Sequence, residues 1–526
     1  MGKSTQQVYI VTFVLITVLA VVIRLWGLTI VPRGFFTDEA AIGYNAYLLL
    51  KTGKDEWAVQ WPVFFQSYGD YRLPVPIYAN IPTIALLGPT DVAVRTTTAL
   101  WGVAGAFFMW LLLKKMYGLW PALFGYFFMS TMPWHIHISR WGSEYIYFPT
   151  LFTFSLWLYV LAYKKTWFIY LSVFFFGLTM YTYYPSIYIT PLSLLVLFCY
   201  YFWKNKKSGL MKILTLALTS FLIFILVLSP MIVAFANGTL LTRWNSVSKS
   251  SNEVGNKVQK FAKSYIDHLS PDFLFIKGDI GLEGHNITRH STPGLGEMFL
   301  TTAPLFYGGI VAVLFLGGLN ALLTISLLLI YPLGSAITYD VLATRSIFGV
   351  IPVTLTVVAA VVFMQRKVLS NVKSKKRVVI CVVICAVFLA SYMFEFVNFY
   401  KTYFYSYPKI SGTDMGFQYG YKQAMELFMK KYEKNYDRFR ITHRFNSGEG
   451  LQHYYNLTIP CPKCGYLENP IKIYEGEKAL YAARPDDLKE AAELYKDYHF
   501  IKIDEIRQED AKDPELIVGY FAKNKK

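Results

Sequence analysis

Apolar runs of roughly 16 to 23 residues recur along most of this chain, each long enough to cross a lipid bilayer as a helix. Eleven are placed near residues 8–30, 91–113, 119–138, 148–163, 167–182, 187–203, 212–234, 303–318, 320–338, 346–365 and 378–398. In lipid the backbone must satisfy its own polar groups, so runs of this length have to be helices. Composition points the same way. Hydrophobic residues make up 54% of the chain, aromatics 18% and charged residues only 16%, which excludes an ordinary soluble protein.

Orientation follows from the basic residues in short loops. Lys114 and Lys115 follow the second run, Lys164 and Lys165 the fourth, and Lys204, Lys206 and Lys207 the sixth. A further basic stretch, 366–377, follows the tenth. With eleven crossings all four loops fall on the cytoplasmic side. The 31–90 loop, the long 235–302 loop and everything after about 399 then lie outside. The net charge of +17 reads as topology and contact with anionic lipid. It does not read as nucleic-acid binding, which wants basic residues gathered on one soluble face. No small-residue cleavage site follows the first run, so that run is expected to be a retained anchor.

Two regions result. Residues 1–398 form a membrane body, and 399–526 form a small extracytoplasmic α/β domain. In the second region, 422–440 and 485–498 carry helical patterns, and 471–474 and 516–521 read as short strands. Cys461-Pro-Lys-Cys464 makes a tight turn able to ligate zinc or close a disulfide. With no second such pair, and only His453 nearby, a local disulfide is the expectation outside the cytoplasm.

Candidate chemistry gathers at the outer face. Asp38 and Glu39 follow the first span directly. Charge at a membrane boundary is costly unless hydrated, paired or used, although acids also favour the first turn of any helix. The same loop brings Asp70, Tyr71 and Arg72, and an arginine there either grips a phosphate through its fork or snorkels to water. The third span ends in His135, His137 and Arg140, with Glu144 beyond. Histidines two apart do not share a helix face, so a metal held by both requires extended backbone. Arg140 and Glu144 either pair at i and i+4 or face the outer cavity. The 235–302 loop adds His285, Arg289 and His290 among aromatics and glycines, a composition suited to covering a ligand. Arg345 heads an apolar helix, costly unless it snorkels or binds an anion.

The Asp-Glu pair after the first span, the long first outer loop and the soluble C-terminal segment resemble the C-type membrane glycosyltransferases (GT-C). They resemble in particular the protein O-mannosyltransferase and aminoarabinose transferase-like group. Gly69-Asp70-Tyr71-Arg72-Leu73-Pro74 is similar to that group's acid-Lys-Pro-Pro segment, whose lysine contacts the phosphate of the lipid carrier. Here Arg72 stands in place of the lysine, and one of the two prolines is matched. Residues 275–290 and 345–352 resemble patterns in bacterial members.

The resemblance implies a multi-pass plasma-membrane enzyme that takes a sugar from a polyprenyl phosphate. It would pass that sugar, with inversion, to an extracytoplasmic protein, lipid or glycan. Asp38 would be the base or acceptor-orienting group, with Glu39 in support. Arg72, Arg140 and Arg345 would hold the phosphate. Asp70, Tyr71, His135, His137, Glu144, His285, Arg289 and His290 are pocket candidates. No cofactor is demanded, though a divalent metal is compatible. A glycan polymerase or ligase would centre on a late outer loop such as 270–290. A lipid-linked sugar flippase would place charges along its spans, whose middles here read as nearly uncharged.

Overall fold

The computed structural model describes residues 2–67, 70–206, 209–242, 256–279, 287–368, 375–413, 416–468, 471–474, 476–508 and 513–524. Helices dominate up to residue 406. The first ten are α1 Lys3–Leu25, α2 Thr37–Thr52, α3 Pro74–Leu87, α4 Asp91–Tyr117, α5 Leu119–Thr131, α6 Pro133–Arg140, α7 Tyr147–Ala162, α8 Phe168–Thr179, α9 Ser186–Asn205 and α10 Leu210–Ala236. Lys257–Asp267 follows, then Ala303–Leu316, Gly318–Ile330, Val350–Phe363 and Lys375–Lys401.

Each of the eleven apolar runs corresponds to a helix. Among the described residues, seven are long and apolar enough to cross a membrane, α1, α4, α9 and α10 among them. Others, such as α7 and α8, are apolar but shorter. The run expected at 119–138 breaks in two. Met132 is extended and Pro133 opens α6, because proline fits a helix's first turn but not its interior. All eight residues of α6 are buried, so its histidines and arginine point into protein.

The 31–90 loop is built from α2, a short hairpin and α3. Helix α2 begins at Thr37 with two acids in its first turn, and the backbone N–H of Phe36 donates to Glu39 Oε2 at 2.9 Å. It ends at Gly53, whose φ of 69° is the left-handed cap that glycine adopts without strain. Strands β1 Phe65–Ser67 and β2 Asp70–Arg72 pair antiparallel, with Phe65 opposite Arg72. The hairpin thus folds the Asp70–Arg72 cluster back over α2.

The C-terminal segment holds a five-stranded sheet in the order β4-β3-β5-β7-β6. Its strands are β3 Arg438–Ile441, β4 Cys464–Tyr466, β5 Ala479–Ala483, β6 Tyr498–Ile506 and β7 Leu516–Lys523. Strand β3 runs parallel to β4 and β5, and β7 pairs antiparallel with β5 and β6. The helices Gly448–Asn456 and Pro485–Leu494 complete it. The stretch 422–440 is helical only to Tyr432, and its tail becomes β3. The described residues 471–474 form no strand. Cys461 and Cys464 are joined in a disulfide, which leaves no thiolates for zinc.

The two regions share a core. Phe35, Ile42, Phe65 and Ile77 of the first loop pack with Phe428, Phe439, Tyr454 and Leu516 of the C-terminal segment. Phe35 stacks on Tyr454 with ring centres 5.2 Å apart. Gly43 allows that approach, since a Cβ there would stand 2.6 Å from the Tyr454 ring. Arg33 N donates to Ser411 Oγ at 2.9 Å, and Lys422 pairs with Asp91 at 3.2 Å.

Candidate active site

The two acids in the first turn of α2 diverge. Asp38 Oδ1 accepts from Arg72 Nη2 at 2.6 Å, and Arg72 Nη1 donates to Glu144 Oε2 at 3.2 Å. These side chains remain 24%, 15% and 16% exposed respectively. Arg72 arrives on β2 and Glu144 in the turn before α7. The hairpin is what carries the cation to the acid.

Arg289 joins from the 235–302 loop, its guanidinium carbon 4.2 Å from the centre of the Phe36 ring. Burial loosens its proton, while Tyr145 and Asp38 oppose that effect. The Tyr145 hydroxyl is held far above its usual range, first by burial and then by the charges of Asp38 and Glu144. It therefore stays a neutral hydrogen-bond donor beside the two carboxylates.

Glu39 does different work. It is fully buried and takes two bonds from Arg95, at 2.8 and 3.1 Å. The N–H groups of Phe36 and Gly142 donate to it as well, each at 2.9 Å. Four donors saturate the carboxylate. The expected catalytic support from Glu39 is corrected to a structural role, holding α2 against α4 and the turn after α6.

Arg140 is also corrected. It is fully buried and donates to the carbonyls of Ile23, Arg24, Gly27 and Val31 at 2.8 to 3.3 Å. It caps the C-terminal end of α1, where a cation meets unsatisfied carbonyls and the negative end of the helix dipole. Among the described residues it does not pair with Glu144. His135 and His137 are buried too. His135 Nδ1 lies 2.7 Å from Arg24 Nη2, and His137 Nε2 lies 2.8 Å from the Arg289 carbonyl. His137 thereby positions the backbone that carries Arg289.

The remaining candidates are scattered around this centre. Asp70 accepts from Thr242 Oγ1 at 3.4 Å, and the Tyr71 carbonyl accepts from the Tyr184 hydroxyl at 2.5 Å. His290 Nδ1 sits 3.7 Å from Asp279 Oδ2. Arg345 pairs with Asp340 at 2.9 Å. It also lines an apolar cavity of about 250 Å³ with Tyr184, Tyr188, Phe235 and Ile337. His285 lies outside the described residues.

Two arginines were missed. Arg95 and Arg24 are wholly buried, and Arg95 spends every N–H, since it also donates to the carbonyls of Leu28, Pro32 and Gly34. Arg95 falls inside the second apolar run. An arginine within a span marks a partnered site, and that signal was available. Among the described residues no group of three or more His, Cys, Asp or Glu side chains is placed to hold a metal ion.

Residues 74–233 match the family described as dolichyl-phosphate-mannose-protein mannosyltransferase. The fold is similar over its whole length to ArnT from Cupriavidus metallidurans, solved bound to undecaprenyl phosphate. That match has a TM-score of 0.57 at 12% identity and covers 99% of this chain and 98% of that one. It is also similar to the oligosaccharyltransferase AglB from Archaeoglobus fulgidus, solved with an inhibitory peptide and a dolichol-phosphate. There the TM-score is 0.51 at 15% identity, over 90% of this chain and 62% of that one. No curated protein sequence matches the chain. The resemblance read from the sequence is borne out: this is a multi-pass helical membrane protein with the fold of the C-type membrane glycosyltransferases.

Proposed function

We propose that the chain is an inverting glycosyltransferase that moves a sugar from a polyprenyl phosphate to an extracytoplasmic protein, lipid or glycan. The observation that carries this reading is the trio of Asp38, Arg72 and Glu144, with Arg72 Nη2 2.6 Å from Asp38. An acid and a cation held side by side are what displacement at an anomeric carbon requires.

In the reaction the acceptor hydroxyl oxygen attacks the anomeric carbon, and the bond from that carbon to the phosphate oxygen breaks. The electron pair leaves with the polyprenyl phosphate, and Asp38 takes the acceptor's proton or orients the hydroxyl for attack. Arg72 turns from its carboxylate partners toward the leaving phosphate, and Arg289 adds charge beside it. The apolar cavity beside Tyr184 receives the polyprenyl chain, with Arg345 in its wall.

Support comes from the family match over 74–233 and from the fold shared with proteins solved with undecaprenyl phosphate or dolichol-phosphate. With eleven crossings and the basic loops inside, the trio and residues 399–526 lie outside the plasma membrane's inner face. The test is transfer of label from a radiolabelled polyprenyl-phosphate hexose in membranes holding wild type or Asp38→Asn. Product from wild type alone is expected. Equal transfer by both would remove Asp38 from the mechanism, and no use of any donor by folded protein would remove the enzyme class.

A further inference from the structure

A second cavity, of about 190 Å³, shares Arg95 with the buried clamp but has none of Asp38, Arg72 or Glu144 in its wall. Thr29 and Arg33 enter it from the end of α1, and Asp91 from the start of α4. Gln418, Lys422 and Glu426 enter from the C-terminal segment. Both α1 and α4 are long and apolar enough to cross a membrane. A cavity built where two such helices leave the bilayer sits at the depth of lipid headgroups.

Its walls carry both signs. Lys422 Nζ and Asp91 Oδ2 are 3.2 Å apart, Arg33 adds a cation and Glu426 an anion. Arg95 is not available to a ligand, because its five N–H groups are all donated to Glu39 and backbone carbonyls. Two buried acceptors have no partner among the described residues, Asp91 Oδ1 and Gln418 Oε1, and Gln418 is itself only 4% exposed. Gln418 also holds a φ of 55°, a backbone conformation that costs a non-glycine residue energy and persists where the surroundings enforce it.

Buried acceptors without donors are expensive, and an ammonium brings three donors. Arginine and lysine in the same wall suit a phosphate. We propose that this cavity binds a phosphate bearing a primary amine, presented as the phosphoethanolamine headgroup of a membrane lipid. The ammonium goes to Asp91 and Gln418, and the phosphate to Arg33 and Lys422. The lipid then ties the ends of two spans to the C-terminal segment.

The experiment is native mass spectrometry of the purified full chain in detergent, with phosphatidylethanolamine and phosphatidylglycerol of identical acyl chains as probes. One phosphatidylethanolamine is expected to be retained about tenfold better than phosphatidylglycerol, with Asp91→Asn and Gln418→Asn each erasing that preference. Asparagine tolerates the backbone of Gln418, which guards against a variant that merely fails to fold. Competition by soluble phosphoethanolamine would show that the headgroup alone suffices, and failure to compete would make the acyl chains part of the site. Equal retention of both lipids, or a preference unchanged in both folded variants, overturns the proposal. Binding is read without turnover, so this outcome is separate from that of the transfer assay.

Discussion

Asp38 and Glu39 leave the same turn of α2 toward opposite faces. Asp38 meets Arg72 at a partly exposed mouth, where the hairpin and two loops converge. Glu39 meets Arg95 in a wholly buried clamp that also gathers carbonyls from the chain just after α1. A partly exposed pair can exchange partners at less cost than a buried one, which suits a group that must engage a substrate. A buried pair cannot, because separating it strands a charge away from water. The clamp sets the direction in which Asp38 points, and the C-terminal segment backs it, since the Arg95 guanidinium lies 5.6 Å from the ring centres of both Phe35 and Phe417.

That contrast can be broken first at Asp38. Asp38→Asn is expected to cut sugar transfer by about 10²- to 10⁴-fold, the span typical of a lost general base, with the unfolding temperature in detergent nearly unchanged. A variant that unfolds early instead would place Asp38 in the clamp's category. Glu39→Gln should do the reverse and lower stability by about 3–5 kcal/mol by leaving Arg95 without its counter-charge. Thermal unfolding of the purified protein reads this, and a stable but inactive Glu39→Gln would return Glu39 to the chemistry.

Arg140→Ala sharpens the boundary between the two faces. Losing the cap on α1 should cost about 1–3 kcal/mol, while the KM for donor in whatever activity remains stays at the wild-type value. A raised donor KM at full stability would mean that Arg140 reaches the phosphate after all.

The smallest expected effect is a slope with pH. Burial pushes the Asp279 carboxyl from 3.8 up to about 7, and Glu297 beside it is raised as well. A raised folded-state value means the folded protein binds the proton more tightly than the unfolded chain. The contribution of Asp279 to stability should therefore be greatest below about pH 4, fall as pH climbs toward 7, and level off beyond. Unfolding midpoints across that range measure it, and Asp279→Asn should flatten the curve; a variant curve as steep as wild type would assign the slope elsewhere.

Much of the membrane body was legible from periodicity alone. Each apolar run became a helix, because length and the absence of charge leave lipid-facing backbone no other way to satisfy itself. The Asp38–Arg72 meeting was legible only as a shared loop and shared side, since the hairpin register that joins them depends on cross-strand packing. Arg140 and Glu144 misled because both stand near a helix end. Spacing of four implies a pair only if one helix continues through both, and α6 stops at Arg140. Arg95 stayed hidden inside a run read for its apolar residues.

The sequence by itself determined that this chain is a bundle of membrane helices with acids, arginines and a disulfide-forming turn on loops outside it. Those properties follow from local composition, which acts over one helix or one turn. Only the tertiary structure decided which of two adjacent acids faces a ligand and which is buried, and which arginines are spent on backbone carbonyls. Such choices depend on what each side chain meets across the fold. Burial makes them nearly irreversible, because an ion once desolvated must keep the partner it was packed with.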